Sequence, residues 1–386
     1  MKTILFVATS MNVGGVEKAL SGVLNALDPT EWDIYLDLII PEGGFMPTLP
    51  PHIKTGCIEE LNREYAFCQH PVKGFVGHML HGRPLRAVRL MWHYAKAKKE
   101  KSLNSFCRYI TRGNRAHGMV FDAAVSFHGP SEYLDCYVAD CVKARRKYGW
   151  IHFDVSRCHI KPRSIRESYS RFHRIFLVSQ EGKAVFDRMF PELSDRTALM
   201  PNMVSRKTIE RMADESVPFI KKEGEIHVVT VGRLSHEKGQ DLALLALKNL
   251  RDSGMNVIWH FVGGGTDEER FRKMSRELSL GDAARFHGVC LNPYPYMKHA
   301  DVYMQPSRHE GYGITIQESL TFGTPTVSTD TTGGRDQLSK LPNGVLTGFT
   351  PEEIADGVRK AAQLPAQPHI TADTVTGEYI SKLLST

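Results

Sequence analysis

The sequence contains no long apolar run. Nowhere does it have the roughly 18 uninterrupted apolar residues that a membrane-spanning helix requires. The N-terminal TILFVA follows a single lysine and leads at once into the polar TSMNVGG, which is unlike a secretory signal peptide. We therefore expect a cytoplasmic protein.

Cysteine pairs with metal-binding spacing are also absent. The seven cysteines are odd in number and scattered, and none belongs to a C-x-x-C pair. This pattern argues against both a disulfide framework and a structural zinc site. Most of the thiols are expected to be free and reduced.

Acidic residues are scarce between Arg83 and Arg115, where ten lysines and arginines are accompanied only by Glu100. Leucine, methionine and aromatic side chains are interleaved with these cations. One interpretation is a solvated pair of basic helices that covers a core, since charge runs are common on helices. The other is an amphipathic segment that lies on an anionic membrane surface. No nucleic-acid-binding motif accompanies the segment, so we expect no nucleic acid as a partner.

The chain does contain a regular alternation of strand-like and helix-like segments. Its 386 residues, 41% of them hydrophobic, are enough to bury two cores. The alternation runs in two series, which predicts an α/β fold of two domains with doubly wound parallel sheets. We place the domains at 1–200 and 201–369, with the boundary near Pro201 and Asn202. The strand-like segments are TILFVA, DIYLDLII, FDAAVSF, RKYGWIHF and RIFLVS, then IHVVTVGRL, VIWHFVGGG, ARFHGV, DVYMQPS and TPTVST.

Two loops of the second series have unusual composition. Open parallel sheets bind ligands beyond the carboxyl ends of their strands. VTVGRLSHEKG places Arg233 and Lys238 after a strand, where two cations can neutralise a diphosphate. FVGGGTDEE places three glycines, Gly263 to Gly265, where a ligand can approach the backbone. Surface cations at strand ends and glycines in tight turns are common, so neither loop decides the function alone.

The stretch HEGYGITIQES follows the strand DVYMQPS. Gly311 and Gly313 keep a turn open before a helix that we predict to begin near Thr315 and to end at Gly323. The backbone amides of residues 313–315 are then expected to point at an anion.

The two glutamates of this stretch allow different interpretations. Glu318 lies three residues after Thr315, which is the spacing of a capping box that would only stabilise the helix start. Glu310 precedes the helix and has no such structural use. An acid beside a phosphate-binding turn is favourable when it accepts hydrogen bonds from ligand hydroxyls, which sugars provide.

Together these motifs resemble the family 4 retaining glycosyltransferases of GT-B fold. VGRLSHEKG and PSRHEGYGITIQESLTFGTPTVST carry the resemblance in the second half, and TSMNVGGVEKAL, WIHFD, LVSQEGKAVF and MPN match in order over the rest of the chain. The resemblance implies two Rossmann-like domains facing each other across a cleft, with the nucleotide-sugar donor on the second and the acceptor on the first. It also implies that a terminal helix within 370–386 returns to the first domain.

The resemblance assigns roles to residues that match the family's motifs. Arg233 and Lys238 would hold the donor diphosphate and stabilise the leaving nucleotide. Glu310 would accept hydrogen bonds from the donor sugar, and Glu318 would bind the ribose. His152 would position and polarise the reacting sugar, whereas without the resemblance a core histidine is the preferred interpretation. The remaining donor-binding residues would be Gly14, Gly15, Gly263, Gly264, Val289, Gly311, Tyr312, Gly313, Ile314 and Thr315.

The implied reaction moves a sugar from a nucleoside diphosphate to an acceptor hydroxyl with retention at the anomeric carbon. The chain has no D-x-D sequence, which disfavours the metal-dependent alternative fold for sugar transfer, and we expect no metal or other cofactor. No family motif lies between about Glu60 and Arg115, so the acceptor is left open between a saccharide and a lipid-linked species. A lipid-linked acceptor would place the protein on the inner face of the cell membrane, in assembly of a surface glycan.

Two other functions are compatible with a nucleotide-sugar site. A nucleotide-sugar 2-epimerase of the same architecture would bind a similar donor, but it would need acid and base groups around C2 and no acceptor. A non-catalytic sugar-nucleotide-binding protein would be expected to have lost the catalytic set. Because Arg233, Lys238 and Glu310 are all present, transfer is favoured.

Overall fold

The computed structural model describes residues 1–112, 116–153, 155–158, 160–202, 206–215, 219–367 and 377–385. The backbone divides into two compact units. The first comprises Met1–Asn12, Val16–Pro201 and Val375–Thr386, and the second comprises Val13–Gly15 and Asn202–Thr374. The predicted domain end at residue 369 and the predicted helical residues 370–376 lie outside the described residues.

The first unit contains a parallel sheet of seven strands among the described residues. They are β1 (Lys2–Ala8), β2 (Trp32–Leu38), β3 (Lys54–Cys57), β4 (Phe121–Gly129), β5 (Ala144–Ile151), β6 (Arg174–Leu177) and β7 (Thr197–Leu199). Their order is β3-β2-β1-β4-β5-β6-β7, and every pairing is parallel. The last five residues of β1 are buried, as expected for a strand covered on both faces.

Helices flank this sheet. They are α1 (Gly15–Ala26), α2 (Glu59–Gln69), α3 (Pro71–Leu80), α4 (Pro84–Lys99), α5 (Asn104–Ile110), α6 (Glu132–Asp140), α7 (Pro162–Tyr169) and α8 (Gln180–Met189). The C-terminal helix of the chain also packs on this unit. Its Ser381 accepts a hydrogen bond of 2.8 Å from the Trp32 indole, and the Leu384 carbonyl accepts one of 3.1 Å from the Tyr148 hydroxyl.

The second unit contains a parallel sheet of six strands in the described part of the chain. They are β8 (Ile226–Val231), β9 (Val257–Val262), β10 (Ala284–Phe286), β11 (Val302–Gln305), β12 (Thr326–Thr329) and β13 (Gly344–Thr347), in the order β10-β9-β8-β11-β12-β13. The helices are α9 (Arg206–Ala213), α10 (Gln240–Asp252), α11 (Glu268–Glu277), α12 (Tyr294–His299), α13 (Ile314–Leu320), α14 (Thr332–Leu338) and α15 (Pro351–Ala361); the C-terminal helix is α16 (Gly377–Ser385). The two doubly wound parallel sheets confirm the predicted α/β class.

Three histidines of the second unit form a hydrogen-bonded ladder across the sheet. Nδ1 of His227 on β8 lies 2.9 Å from Nε2 of His260 on β9, whose Nδ1 lies 2.9 Å from Nε2 of His287 after β10. The ladder ends at a carboxylate oxygen of Glu225, 3.1 Å from His227, and at the hydroxyl of Tyr296, 3.2 Å from His287. Burial lowers the pKa of all three imidazoles, that of His260 to about 3.

The basic segment from Arg83 is divided between two environments. Phe106 and Ile110 of α5 belong to the core of the first unit, and so do Leu90 and Ala97 on the inner side of α4. The interpretation of helices that cover a core therefore holds for α5 and for one side of α4, whereas the other side of α4 faces solvent. Among the residues that the structure describes, every helix is too short or too polar to cross a bilayer.

Candidate functional site

The strand order of the second unit locates its ligand-binding edge. β8 and β11 are neighbours, and from them the chain continues to opposite sides of the sheet, to β9 and β12. Loops diverge at such a switch point and leave a crevice at the carboxyl ends of the strands. The loop after β8, with a short 3₁₀ turn at His236–Lys238, and the loop after β11 both lie at this edge.

Lys238 and Glu310 connect these two loops. The Lys238 ammonium lies 2.7 Å from Oε2 of Glu310, and the two side chains are only 20% and 14% exposed. The Ser307 hydroxyl donates a second hydrogen bond of 3.3 Å to the same oxygen. A largely buried carboxylate and ammonium are thus held together at the carboxyl ends of β8 and β11.

A second ion pair fixes the distance between the loops. The Arg308 guanidinium binds Asp241 at the start of α10 with two hydrogen bonds of 2.7 and 2.8 Å, and it donates a third of 2.7 Å to the carbonyl of His236. Burial would raise the pKa of Asp241, but the hydrogen bonds and charge of Arg308 outweigh it and hold that pKa below its usual value. Such forked pairing fixes orientation as well as distance.

Gly239 allows the two loops to come this close. It has φ of +71°, and a β-carbon on it would lie 1.9 Å from the carbonyl oxygen of Pro306. Any side chain at this position would therefore push apart the loops that carry Lys238 and Glu310.

A buried polar network supports the loop after β11. Gln305 accepts hydrogen bonds of 2.6 Å from the Tyr303 hydroxyl and 3.0 Å from the Thr315 hydroxyl, and its amide donates to Ser307 at 2.8 Å. Because Ser307 donates to Glu310, the network joins the sheet interior to the carboxylate of Glu310.

Helix α13 begins one residue earlier than predicted. Its N-cap is Gly313, with φ of +77° and no side-chain cap, so Thr315 lies inside the helix. The capping-box interpretation of Glu318 is therefore wrong, because that box requires Thr315 as the N-cap. The Glu318 side chain is buried and accepts a hydrogen bond of 3.2 Å from the Tyr294 hydroxyl.

The turn between Glu310 and α13 is held from α14. The Gly333 amide donates a bond of 3.0 Å to the Glu310 carbonyl, and the Gln337 amide binds the carbonyl of Tyr312. Burial raises the pKa of the Tyr312 phenol to about 12. Gly311 thus lies in a turn whose backbone is fixed on both sides, as a preorganised site requires.

The glycine loop after β9 lies against the loop after β8. A β-carbon on Gly263, whose φ is +141°, would lie 2.1 Å from the Gly232 carbonyl oxygen. One on Gly264 would lie 2.6 Å from a methyl group of Val289, which is 67% exposed. Arg233 at the same edge is 63% exposed, and its guanidinium lies 3.4 Å from Glu237. The predicted donor-binding residues Gly264 and Val289 are therefore neighbours.

His152 lies in the first unit, directly after β5. Its backbone amide donates to the Gly129 carbonyl at 3.1 Å, and its ring is buried against Phe127 and parallel to that of Trp150. Of the predicted first-loop glycines, Gly15 begins α1 and Gly14 immediately precedes it.

A histidine and an acid that the sequence analysis missed also lie at the switch point of the first sheet. Nδ1 of His128, near the end of β4, accepts a hydrogen bond of 3.0 Å from the Thr9 amide. The neutral ring therefore carries its hydrogen on Nε2, which lies 3.6 Å from a carboxylate oxygen of Glu17.

The structure groups the predicted donor residues of the second unit along one sheet edge. Lys238, Glu310 and the turn that leads into α13 are directly connected, and His152 belongs to the other unit. Sequence reasoning also missed five supporting residues of the second unit: Asp241, Tyr294, Gln305, Ser307 and Arg308. Among the described residues no three His, Cys, Asp or Glu side chains are grouped so as to hold a metal ion. A reaction without a cofactor stays a prediction.

Residues 213–374 match the family described as "Glycosyl transferases group 1". The match covers most of the second unit, including the sheet edge that carries Lys238 and Glu310. It supports a transferase acting on glycosyl groups.

Curated relatives of the chain include several glycosyltransferases. An uncharacterised glycosyltransferase of Methanocaldococcus jannaschii is 25% identical over 181 residues, which are 44% of this chain and 44% of that protein. The lipopolysaccharide 1,6-galactosyltransferase of Salmonella typhimurium is 26% identical over 239 residues, 59% of this chain and 62% of that protein. The chain thus spans about half the length of the curated relatives it matches.

Solved structures share the fold. The crystal structure of HepE from Anabaena in complex with UDP and glucose aligns with a TM-score of 0.63 over 100% of this chain and 95% of that chain, at 17% sequence identity. At this identity the likeness shows the fold alone. Together with the two parallel sheets it confirms the GT-B prediction.

Proposed function

We propose that the chain is a retaining glycosyltransferase. It moves a hexose-type sugar from a nucleoside diphosphate to a saccharide or lipid-linked acceptor, in the biosynthesis of a surface polysaccharide or other glycoconjugate. The observation that carries this proposal is the half-buried pair of Lys238 and Glu310 beside the start of α13. A nucleotide-sugar needs a cation for its diphosphate and an acceptor of hydrogen bonds for its sugar hydroxyls, and this pair supplies both.

The cations act on the leaving group. As the bond between the anomeric carbon and the phosphate oxygen breaks, negative charge develops on the nucleoside diphosphate. Lys238 presents a compact charge, and the exposed Arg233 presents a planar fork, to the same diphosphate. The backbone amides of residues 313–315 add neutral donors, and these amides and Lys238 are held in place before the reaction.

The carboxylates bind the two ends of the donor. Glu310 accepts hydrogen bonds from the sugar hydroxyls, and the hydroxyl of Ser307 and the ammonium of Lys238 orient it. Glu318 binds the ribose hydroxyls, and Val289 with Gly264 supports the base. The diphosphate then lies between the two acids, which explains their separation along the chain.

The acceptor hydroxyl attacks on the face that the nucleotide leaves, so the configuration is retained. A new bond forms between the acceptor oxygen and the anomeric carbon, and the proton passes to the departing phosphate oxygen. His152 positions and polarises the sugar and does not take this proton.

A panel of UDP-, GDP-, ADP- and dTDP-sugars with saccharide and polyprenyl-linked acceptors tests the proposal. Mass spectrometry follows the nucleoside diphosphate and the product, and NMR of the new anomeric proton gives its configuration. Release of nucleotide together with a product of retained configuration is expected. An inverted product would overturn retention, an epimerised donor would indicate the epimerase, and donor binding without turnover on any acceptor would indicate a non-catalytic protein.

A further inference from the structure

Helices α3 and α4 expose an unusual number of large apolar side chains. Sixteen large hydrophobic residues are exposed in the described part of the chain, and seven of them lie on these two helices: Val72, Val76, Met79, Leu80, Leu85, Val88 and Trp92. Scattered exposed hydrophobics need no explanation, but a cluster of this kind marks an interaction surface. We name these seven residues the α3–α4 face.

The exposed residues follow the helical repeat. Val72, Val76 and Met79 are spaced by four and three residues on α3, and Leu85, Val88 and Trp92 by three and four on α4. Each set therefore forms a stripe along one side of its helix. Leu80 and Leu85, at the facing ends of the two helices, are 81% and 75% exposed.

The other side of these helices is anchored to the protein. The carboxylate of Glu64 on α2 is 1% exposed and binds His78 of α3 at 2.7 Å and Arg86 of α4 at 2.7 Å. A buried carboxylate is stable only with such partners. A β-carbon on Gly74 would lie 2.5 Å from the backbone of Phe67, so α3 packs closely on α2. The α3–α4 face is thus the outer side of a fixed helical pair.

The lysine and arginine side chains of α3, α4 and the turn between them give this region a positive charge. Residues 71–99 include seven lysines and arginines and no aspartate or glutamate. Arg89, Lys96 and Lys99 continue the same side of α4 that carries Trp92, and the Lys96 ammonium lies 5.6 Å from the centre of the Trp92 ring. A second copy of so basic a face would be repelled, whereas anionic headgroups complement it.

We propose that the α3–α4 face docks on a bilayer of anionic phospholipids. The apolar stripes enter the headgroup boundary, and the cations along α4 contact the phosphates. The docking surface therefore differs from residues 83–115: it includes α3 and excludes α5, which contributes Phe106 and Ile110 to the core. The inference goes beyond the proposed sugar transfer and does not depend on it, because membrane binding is measured without a donor or an acceptor.

Co-sedimentation of the full chain with vesicles tests the proposal. We expect binding to vesicles of 30% phosphatidylglycerol in phosphatidylcholine, weaker binding at 0.5 M NaCl, and little binding to pure phosphatidylcholine, conditions chosen on the scale of charge screening. The triple variant Arg89→Gln, Lys96→Gln, Lys99→Gln should lower the partition coefficient by about 100-fold, since each cation near such a surface contributes about fivefold. Leu80→Ser, Leu85→Ser, Trp92→Ser should abolish binding.

Matched variants control for charge and hydrophobicity. Arg270→Gln, Lys273→Gln, Arg276→Gln on α11 removes the same charge, and Val120→Ser, Ile220→Ser, Phe349→Ser removes other exposed apolar groups. Both controls should bind as the parent does, and thermal melting checks that every variant is folded. Equal binding by the α3–α4 variants and the controls would overturn the proposal. So would an absence of vesicle binding, or a dimer in analytical ultracentrifugation that only the α3–α4 variants abolish.

Discussion

The carboxylate of Glu310 and the ammonium of Lys238 lie 2.7 Å apart although 72 positions separate them in the sequence. Each side chain comes from a loop after a different strand, and neighbouring strands bring the loops together. The pair exists only because β8 and β11 are adjacent in the sheet.

Replacement of this carboxylate tests its contact with the sugar. Glu310→Gln keeps the shape and one accepting oxygen but removes the charge. We expect kcat to fall by about 100- to 1,000-fold, the range found when one preorganised group is lost from a transition-state site. Glu277→Gln, at an exposed acid of α11, should leave turnover unchanged. A Glu310→Gln enzyme with the parent's rate would refute the placement at the sugar.

The proposed contact between Glu318 and the ribose can be tested by changing the ligand as well as the side chain. We expect Glu318→Gln to weaken binding of the nucleoside diphosphate that the donor panel identifies by about 10- to 100-fold, because hydrogen bonds to a charged group contribute about 1.5–3 kcal/mol. With the 2′,3′-dideoxy form of that nucleotide, which has no ribose hydroxyls, the same substitution should have no effect. Isothermal titration calorimetry measures both ligands. A substitution that weakens both equally would show that Glu318 stabilises the fold and does not contact the ribose.

Tyr294→Phe supplies the control for that experiment. It removes the hydroxyl that donates to Glu318 but leaves the carboxylate in place. Binding of the same nucleoside diphosphate should weaken by less than it does in Glu318→Gln. An equal loss in both variants would assign the effect to the buried hydrogen bond.

Two glycines with a similar positive φ allow the cost of the backbone conformation to be distinguished from the cost of a steric clash. Gly239 and Gly254 have φ of +71° and +85°, but a β-carbon would meet the Pro306 carbonyl only at Gly239 and nothing within 4 Å at Gly254. We expect Gly254→Ala to cost about 1–2 kcal/mol, the cost of a left-handed conformation. Gly239→Ala should cost at least twice as much and should also reduce turnover. Chemical denaturation followed by tryptophan fluorescence measures the difference, and equal costs would contradict the close approach.

Most strands of the described residues were predictable, and three short ones were not. Strands β1, β2, β8 and β9 are long and apolar enough to be recognised from sequence, and the short strands β6, β10, β11 and β12 also lie within predicted segments. Lys54–Cys57, Thr197–Leu199 and Gly344–Thr347, only three or four residues long, were missed. They form strands because a neighbouring strand offers its backbone groups for pairing.

Residues of the candidate site were predictable where charged side chains lie in a short, recognisable sequence motif. Glu310 and Lys238 were found in this way. The pair of Asp241 and Arg308 was missed because the partners are 67 positions apart and neither has a distinctive local context. The capping-box reading of Glu318 failed because the positive φ of Gly313 starts the helix early, which no pattern of side chains reveals.

The histidine ladder makes stability depend on pH. Burial lowers the pKa of His260 to about 3, below its value near 6.5 in an unfolded chain. The unfolded state therefore binds the proton first as the pH falls, and stability decreases between about pH 6.5 and 3, by up to about 1.4 kcal/mol per pH unit for this group.

His260→Gln removes the titrating group. Between pH 6.5 and 4 the free energy of unfolding of this variant should fall less steeply than that of the parent. The same substitution at the exposed His52 should leave the slope unchanged. Urea titrations at several pH values measure the slopes, and parallel curves for His260→Gln and the parent would exclude the ladder as the source.

The hydrogen bonds of the histidine ladder all run in the same donor-to-acceptor direction. An ionised carboxylate only accepts, so Glu225 requires a hydrogen on Nε2 of His227, whose Nδ1 must then accept. By the same reasoning, Nε2 donates and Nδ1 accepts in His260 and in His287. The Tyr296 hydroxyl then donates the last hydrogen bond, to Nδ1 of His287. One carboxylate thus selects the tautomer of three rings at once, and the last of them immediately precedes the segment that would carry the nucleobase. Exchange of Glu225 for a hydrogen-bond donor would have to reverse every bond in the chain.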